Sequence, residues 1–198
     1  ITVFAPTNDA FTAAGLTDSA IGTTPVATLD AVLKYHVLAQ RIPSSSVPAG
    51  PNAEVTTVNG AKAYVTRNNN GVFINGIKVA QADVNATNGV IHVIGSVLMP
   101  PSGNIVETAV ANSNLTYLVA AVQRAGASGT DIAAALSAAG PLTVFAPTNQ
   151  AFIDAGFPTI ASIQSADPNT IKNILLYHVL NARVFSSDLT EGATPATL

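Results

Sequence analysis

The sequence predicts an α+β chain in which a domain-sized unit occurs in tandem, and three observations carry that prediction. A long-period repeat runs through the chain, the same amphipathic helical stripe recurs in each copy, and a strand-rich stretch punctuated by four Asn-Gly pairs occurs between them. Strands clustered apart from helices give the α+β class.

The repeat is read directly. Thr2-Val3-Phe4-Ala5-Pro6-Thr7-Asn8-Asp9-Ala10-Phe11 returns as Thr143-Val144-Phe145-Ala146-Pro147-Thr148-Asn149-Gln150-Ala151-Phe152, and only Asp9 changes, to Gln150. Gly15 returns as Gly156. Tyr35-His36-Val37-Leu38 returns as Tyr177-His178-Val179-Leu180, Arg41 as Arg183, and Ser44-Ser45 as Ser186-Ser187. A period of this length is a domain, not a solenoid rung. Residues 1 to about 56 match 143 to 198, and residues 57–142 occur once. Pro100-Pro101-Ser102-Gly103 is the best linker, because paired prolines and a glycine end regular structure. The expected division is a first module at 1–102 lacking N-terminal helices and a second at 103–198 lacking C-terminal hairpins. The chain opens on Ile1-Thr2-Val3 without an initiator Met, and it is expected to be a window on a longer protein. The expectation includes exchange of module halves between copies, because a stripe of Ile171, Ile174, Leu175 and Val179 would otherwise face water.

The elements follow in order. Thr2-Val3-Phe4 and Thr143-Val144-Phe145 are β-branched and aromatic runs ended by Ala-Pro, so each predicts a short buried strand. Thr7 and Thr148 are N-cap candidates for short helices running towards Gly15 and Gly156. Leu29, Val32, Leu33, His36 and Val37 fall at i, i+3, i+4, i+7 and i+8, and Ile171, Ile174, Leu175, His178 and Val179 repeat the pattern. From Ala53 to Leu98 strands are expected, with Asn59-Gly60, Asn70-Gly71, Asn75-Gly76 and Asn88-Gly89 as hairpin turns of an antiparallel meander. Asn104 to Gly140 is helical again, with a first stop at Gly126 and a second short helix from Asp131 to Ala139.

Composition removes several function classes. Charged residues make up 10% of the 198, the formal net charge is −3, and the eight Lys and Arg are scattered from Lys34 to Arg183, so no basic face for nucleic acid is expected. Mean hydropathy is +0.39, but no apolar run approaches the roughly 18 residues of a membrane span. Cysteine is absent, which excludes a disulfide framework and a thiol nucleophile. No phosphate loop or Gly-x-Ser-x-Gly elbow occurs. His36, His92 and His178 lack a second His or a Glu at i+3 or i+4, so no metal site, cofactor or catalytic constellation is expected. A histidine within an apolar stripe has to satisfy its polar tip, and all three are expected to be buried and bonded to backbone carbonyls. Tyr35 and Tyr177 read as packing residues with hydroxyls seeking a partner, and Asp83 as a local turn former or a recognition carboxylate. Asn85-Ala86-Thr87 and Asn114-Leu115-Thr116 match the N-glycosylation acceptor pattern.

These motifs resemble those of fasciclin-type (FAS1) modules. Thr-Val-Phe-Ala-Pro-Thr-Asn-x-Ala-Phe resembles the family's first signature, carried here by Thr2, Phe4, Pro6, Thr7, Asn8 and Phe11 and again by Thr143, Phe145, Pro147, Thr148, Asn149 and Phe152. Tyr35-His36 and Tyr177-His178 resemble the central Tyr-His pair. Asn88-Gly89-Val90-Ile91-His92-Val93-Ile94 resembles the second signature, with Gly89 and His92 as its marked positions. Asn104 to Gln123 resembles the helix that opens such a module.

The resemblance implies a wedge of antiparallel sheet with a layer of short helices, and a non-enzymatic role in cell adhesion or extracellular matrix, secreted or at the cell surface. In some animal members an Asp-Ile pair before the second signature and the Tyr-His region contact integrins. The matching partner-binding candidates are Asp83, Val84, Tyr35, His36, Tyr177 and His178. Val84 replaces the Ile, flanking Ala82 and Asn85 do not reproduce the animal motif, and no Arg-Gly-Asp occurs, so the implied role is adhesive without being narrowed to integrins. The implied partner is a protein or glycan at a surface or in a matrix. Self-assembly with other copies into a surface fibre or coat is the alternative, and carriage of a small molecule or lipid in an apolar groove the second alternative. The neutral, cysteine-free composition is also compatible with a bacterial envelope protein.

Overall fold

The computed structural model describes residues 1–50 and 52–198. These form two compact units, one of Ile1–Pro101 with Phe185–Leu189 and one of Ser102–Val184 with Thr190–Leu198. The short segment 185–189 clusters with the first unit. There the Phe185 ring lies 6.1 Å from that of Tyr64, and Asn52 Nδ2 donates to Asp188 at 2.7 Å.

The first unit runs β1 (Thr2–Pro6), α1 (Asn8–Ala13), α2 (Asp18–Thr23), α3 (Val26–Tyr35), β2 (Val37–Leu38), β3 (Ala53–Thr56), β4 (Lys62–Asn68), β5 (Gly71–Ile74), β6 (Ile77–Ala86) and β7 (Gly89–Ile94). Its strands make one sheet in the order β2-β1-β7-β6-β5-β4-β3. The meander from β3 to β7 is antiparallel, as its alternation predicts, but β1 joins it in parallel, Thr2 facing Val90 and Pro6 facing Ile94. Gly89 explains how the two strands come so close. A Cβ there would stand 2.3 Å from the Ile1 carbonyl oxygen, which accepts from Val90 N at 3.0 Å.

Of the four Asn-Gly pairs, only Asn75-Gly76 places both residues at positive φ, 47° and 76°, the backbone of a tight two-residue hairpin between β5 and β6. At the other three the asparagine keeps negative φ. Asn59 instead caps its own turn, accepting from Thr57 Oγ1 and Ala61 N. Phe4, Tyr35, Leu38, Val65, Ile74, Ile94 and Leu98 are buried together beneath the sheet.

The second unit runs α4 (Ile105–Val110), α5 (Thr116–Gly126), α6 (Ile132–Ser137), β8 (Thr143–Val144), α7 (Asn149–Asp154), α8 (Ile160–Ser165), α9 (Pro168–Tyr177) and β9 (Val179–Leu180). Asn104 and Glu107 form a reciprocal capping box that starts α4, and Asp131 and Asp167 cap α6 and α9. The core gathers on α5: Leu118, Ala121 and Ala125 pack with Ile132, Leu136, Phe152, Ile163, Ile171 and Leu175. The expectation that Ile171, Ile174, Leu175 and Val179 face water is corrected here. Three of the four are buried within the unit by α5 and its neighbours, and only Ile174 is exposed. Among the described residues no helix is long and apolar enough to cross a membrane.

Candidate functional site

Both copies of the first signature use their threonines in the same way. Thr2 Oγ1 donates to the Gln40 carbonyl and accepts from Ile42 N, at 2.7 and 2.8 Å, while Thr143 Oγ1 does the same with Ala182 and Val184 at 2.6 and 2.9 Å. Each threonine thus pins the loop that leaves the Tyr-His segment. Pro6 and Pro147 precede Thr7 and Thr148, whose hydroxyls accept from Ala10 N and Ala151 N to start α1 and α7. The asparagines diverge. Asn149 accepts from Thr116 Oγ1 and Tyr117 N and donates to the Ser113 carbonyl, holding α7 against the start of α5, whereas the side chain of Asn8 bonds none of the described residues. Phe152 is buried against Tyr117 and Phe157, while Phe11 is only half-buried.

The Tyr-His pair is where the copies separate most. Tyr35 is 3% exposed, its hydroxyl donating to the Lys62 carbonyl and accepting from Asn75 Nδ2, both at 2.9 Å. Burial pushes its pKa up, with the Asn75 bond opposing. His36 is buried beside it. Nδ1 bonds the Val32 carbonyl at 2.7 Å and Nε2 accepts from Leu98 N at 2.9 Å, a pairing that assigns the proton to Nδ1. Burial holds the imidazole below its ordinary pKa, partly offset by the Val32 bond. Neither side chain offers surface to a partner.

In the other copy Tyr177 is 73% exposed, and its hydroxyl bonds none of the described residues. His178 keeps the helix contact, Nδ1 to the Ile174 carbonyl at 2.7 Å, but Nε2 has no described partner. The expectation that all three histidines are buried is corrected for His178, which is half-exposed; among the described residues none bonds its Nε2 as Leu98 N bonds that of His36.

Asp83 and Val84 lie inside β6, ahead of its turn into β7. Asp83 stands at φ +59° where the β6–β7 register breaks, and its carboxylate accepts from both the hydroxyl and the backbone N–H of Ser44. Those two bonds, the hydroxyl's first, hold its pKa below the usual carboxylate range. Its own N–H reaches His92 Nδ1 at 3.3 Å, and His92 Nε2 donates to the Ile42 carbonyl at 2.9 Å. Asp83, His92, Ser44 and Ile42 are therefore one polar network, packed beside Phe4, whose ring lies 5.6 Å from that of His92. Val84 faces Ile91 across the strands.

Two features of the second unit escaped the sequence reading. One is the exposure of three apolar side chains, Phe145, Ile174 and Tyr177. The other is a cavity of about 170 Å³ bounded by Val106, Val110, Leu118, Val122, Val144 and His178 among others. Asn75 was read as a turn, not as the anchor of Tyr35; its place in an Asn-Gly pair was the available signal.

Among the described residues no three His, Asp or Glu side chains group as metal ligands. The fasciclin domain family model matches residues 1–100 and 113–198. Human periostin is 31% identical over 200 residues, and rabbit transforming growth factor-beta-induced protein ig-h3 is 28% identical over 200; each alignment covers this whole chain, which spans 22% and 28% of those proteins. Protein sll1483 of Synechocystis is 41% identical over 102 residues, half of this chain and 55% of that protein. Among solved structures, the FAS1 domain pair of the insect cell adhesion molecule Fasciclin I aligns at 19% identity and a TM-score of 0.45, covering 99% of this chain and 72% of that one. With both halves matched by the family model, and both bearing the same signature threonine, proline and Tyr-His residues in place, this chain belongs to the fasciclin domain family.

Proposed function

We propose that the chain is a non-enzymatic adhesion or matrix module, secreted or displayed at a cell surface, that binds a protein or glycan partner. The observation that carries this reading is the fasciclin family match over both segments. The exposure of Phe145 and Tyr177 supports the second unit as the contact surface, since exposed aromatics supply large contact area at low entropic cost. Tyr35, His36 and Asp83 are engaged inside the first unit and serve its packing.

Solid-phase binding of the purified chain to extracted matrix and to whole cells tests the reading. Saturable attachment, reduced at least severalfold by Tyr177→Ala and unchanged by Leu33→Ala, is the expected result. Attachment that ignores Tyr177, or none to any surface, overturns it. The apolar cavity favours a second reading, carriage of a small apolar ligand, which predicts saturable uptake of a long-chain fatty acid.

A further inference from the structure

The four Asn-Gly pairs carry a chemistry besides turn formation. An asparagine carboxamide followed by glycine is open to attack by the glycine's own backbone nitrogen, because no Cβ crowds the approach. The structure treats the four pairs differently. Asn59 accepts from Thr57 Oγ1 and Ala61 N and donates to the Ala31 carbonyl, while Asn75 accepts from Tyr64 N and donates to the Tyr35 hydroxyl. Both are half-buried, so turning either carboxamide towards the next residue strands the groups it holds. Asn88 is exposed, but Gly89 is buried beneath the Ile1 carbonyl. Asn70 alone combines an exposed asparagine with a glycine that is not buried. Its backbone N–H donates to Asn68 Oδ1 at 2.8 Å, which fixes the turn, and its carboxamide bonds none of the described residues.

We infer that Asn70 is a site of spontaneous modification, converting through a succinimide ring to aspartate and isoaspartate. The Gly71 nitrogen bonds to Asn70 Cγ, the Cγ–Nδ2 bond breaks, and Nδ2 leaves as ammonia with the proton that Gly71 gives up. Water then opens the ring. Cleavage at the side-chain carbonyl gives aspartate, and cleavage at the main-chain carbonyl gives isoaspartate, whose main chain runs through Cβ and is one methylene longer. Water is the one co-reactant. Either product turns a neutral amide into an anion, so the formal net charge goes from −3 to −4. The new carboxylate arises next to Gly71, where Lys78 Cε lies 3.4 Å from the position a Cβ would take. The isoaspartyl product also lengthens the turn between Asn68 and Gly71, which face each other across β4 and β5. This inference does not depend on the adhesion reading, because the reaction needs no partner.

The test incubates the intact 198-residue chain at mildly alkaline pH, folded and in urea, and follows each pair by peptide mass mapping and isoaspartyl methyltransferase labelling. In the folded chain Asn70 should convert at least tenfold faster than Asn59, Asn75 or Asn88. In urea the four should converge, because the bonds and burial that separate them are gone. Asn70→Gln should remove most of the label from the folded chain, since the longer side chain closes a ring far more slowly, and it should leave the urea midpoint unchanged at so exposed a position. Equal rates at the four pairs in the folded chain overturn the inference. So does Asn88 converting ahead of Asn70, which would mean that Ile1 does not shield Gly89, and so does label that persists undiminished in Asn70→Gln.

Discussion

Residues 2–38 and 143–180 share the first signature and the Tyr-His-Val-Leu run, yet opposite faces of them are buried. In the first unit Phe4 and Tyr35 are each 3% exposed and Leu33 is 57% exposed; in the second, Phe145 and Tyr177 are 44% and 73% exposed and Leu175 is 4% exposed. Helix α3 buries Val32 with Ala10 and Val97, and Tyr35 with Phe4 and Leu98, while α9 buries the face that meets α5. The segment is thus a middle layer with two apolar faces. Which face is covered depends on the element packed against it, not on the segment's own sequence.

That comparison is open to direct attack. The largest effect is expected at the first-signature aromatic. Phe4→Ala should cost about 3–5 kcal/mol in the first unit, and Phe145→Ala under about 1 kcal/mol in the second. Unit-resolved hydrogen exchange measures both, and equal losses would abolish the distinction. Next comes the reverse pair. Leu175→Ala should cost about 2–5 kcal/mol and Leu33→Ala no more than about 0.5 kcal/mol. A costly Leu33→Ala would mean that α3 has an unrecognised cover.

Smaller, and confined to one atom, is Tyr35→Phe. Losing the hydroxyl leaves the Lys62 carbonyl and Asn75 amide short of a partner, at about 1–3 kcal/mol, whereas Tyr177→Phe should move the urea midpoint imperceptibly.

The smallest effect concerns protons. His36 is held below its ordinary pKa by burial, so the unfolded chain takes up this proton more readily. The stability linked to it is full above about pH 6.5 and is lost as pH falls through the folded value. The first unit's urea midpoint should therefore drop on acidification below that point, and the drop should shrink in His36→Gln. A parallel drop in both proteins would assign the acid sensitivity elsewhere.

The sequence made local features legible. Thr7 and Thr148 as N-caps, the helical stripes and the β4 to β7 meander all follow from patterns a few residues long. What it hid was non-local. The parallel seating of β1 beside β7 depends on Gly89 meeting Ile1. The exposure of His178 turns on the Leu98 contact that covers His36 in the first unit. Burial of Ile171 and Leu175 does not show in their own stripe, because the cover comes from α5, about 50 residues earlier in the chain. Candidate contact residues divided the same way: Tyr35, His36 and Asp83 are bound up by Lys62, Leu98 and Ser44, partners that periodicity cannot supply.

The placement of β1 has a further consequence, for the order in which the chain assembles. β1 lies between two other strands, and one of them, β7, comes last among the first unit's strands; Ile1 N donates to the Asn88 carbonyl 87 residues away. Loop closure over that span has to precede the contacts that reward it, so the meander of β3 to β6 is free to form early while β1 waits. During synthesis the first unit then reaches its native sheet only after Ile94 has emerged. Until that moment Phe4 and Val3 belong to an apolar segment without a home, which is the interval in which a chaperone would find it.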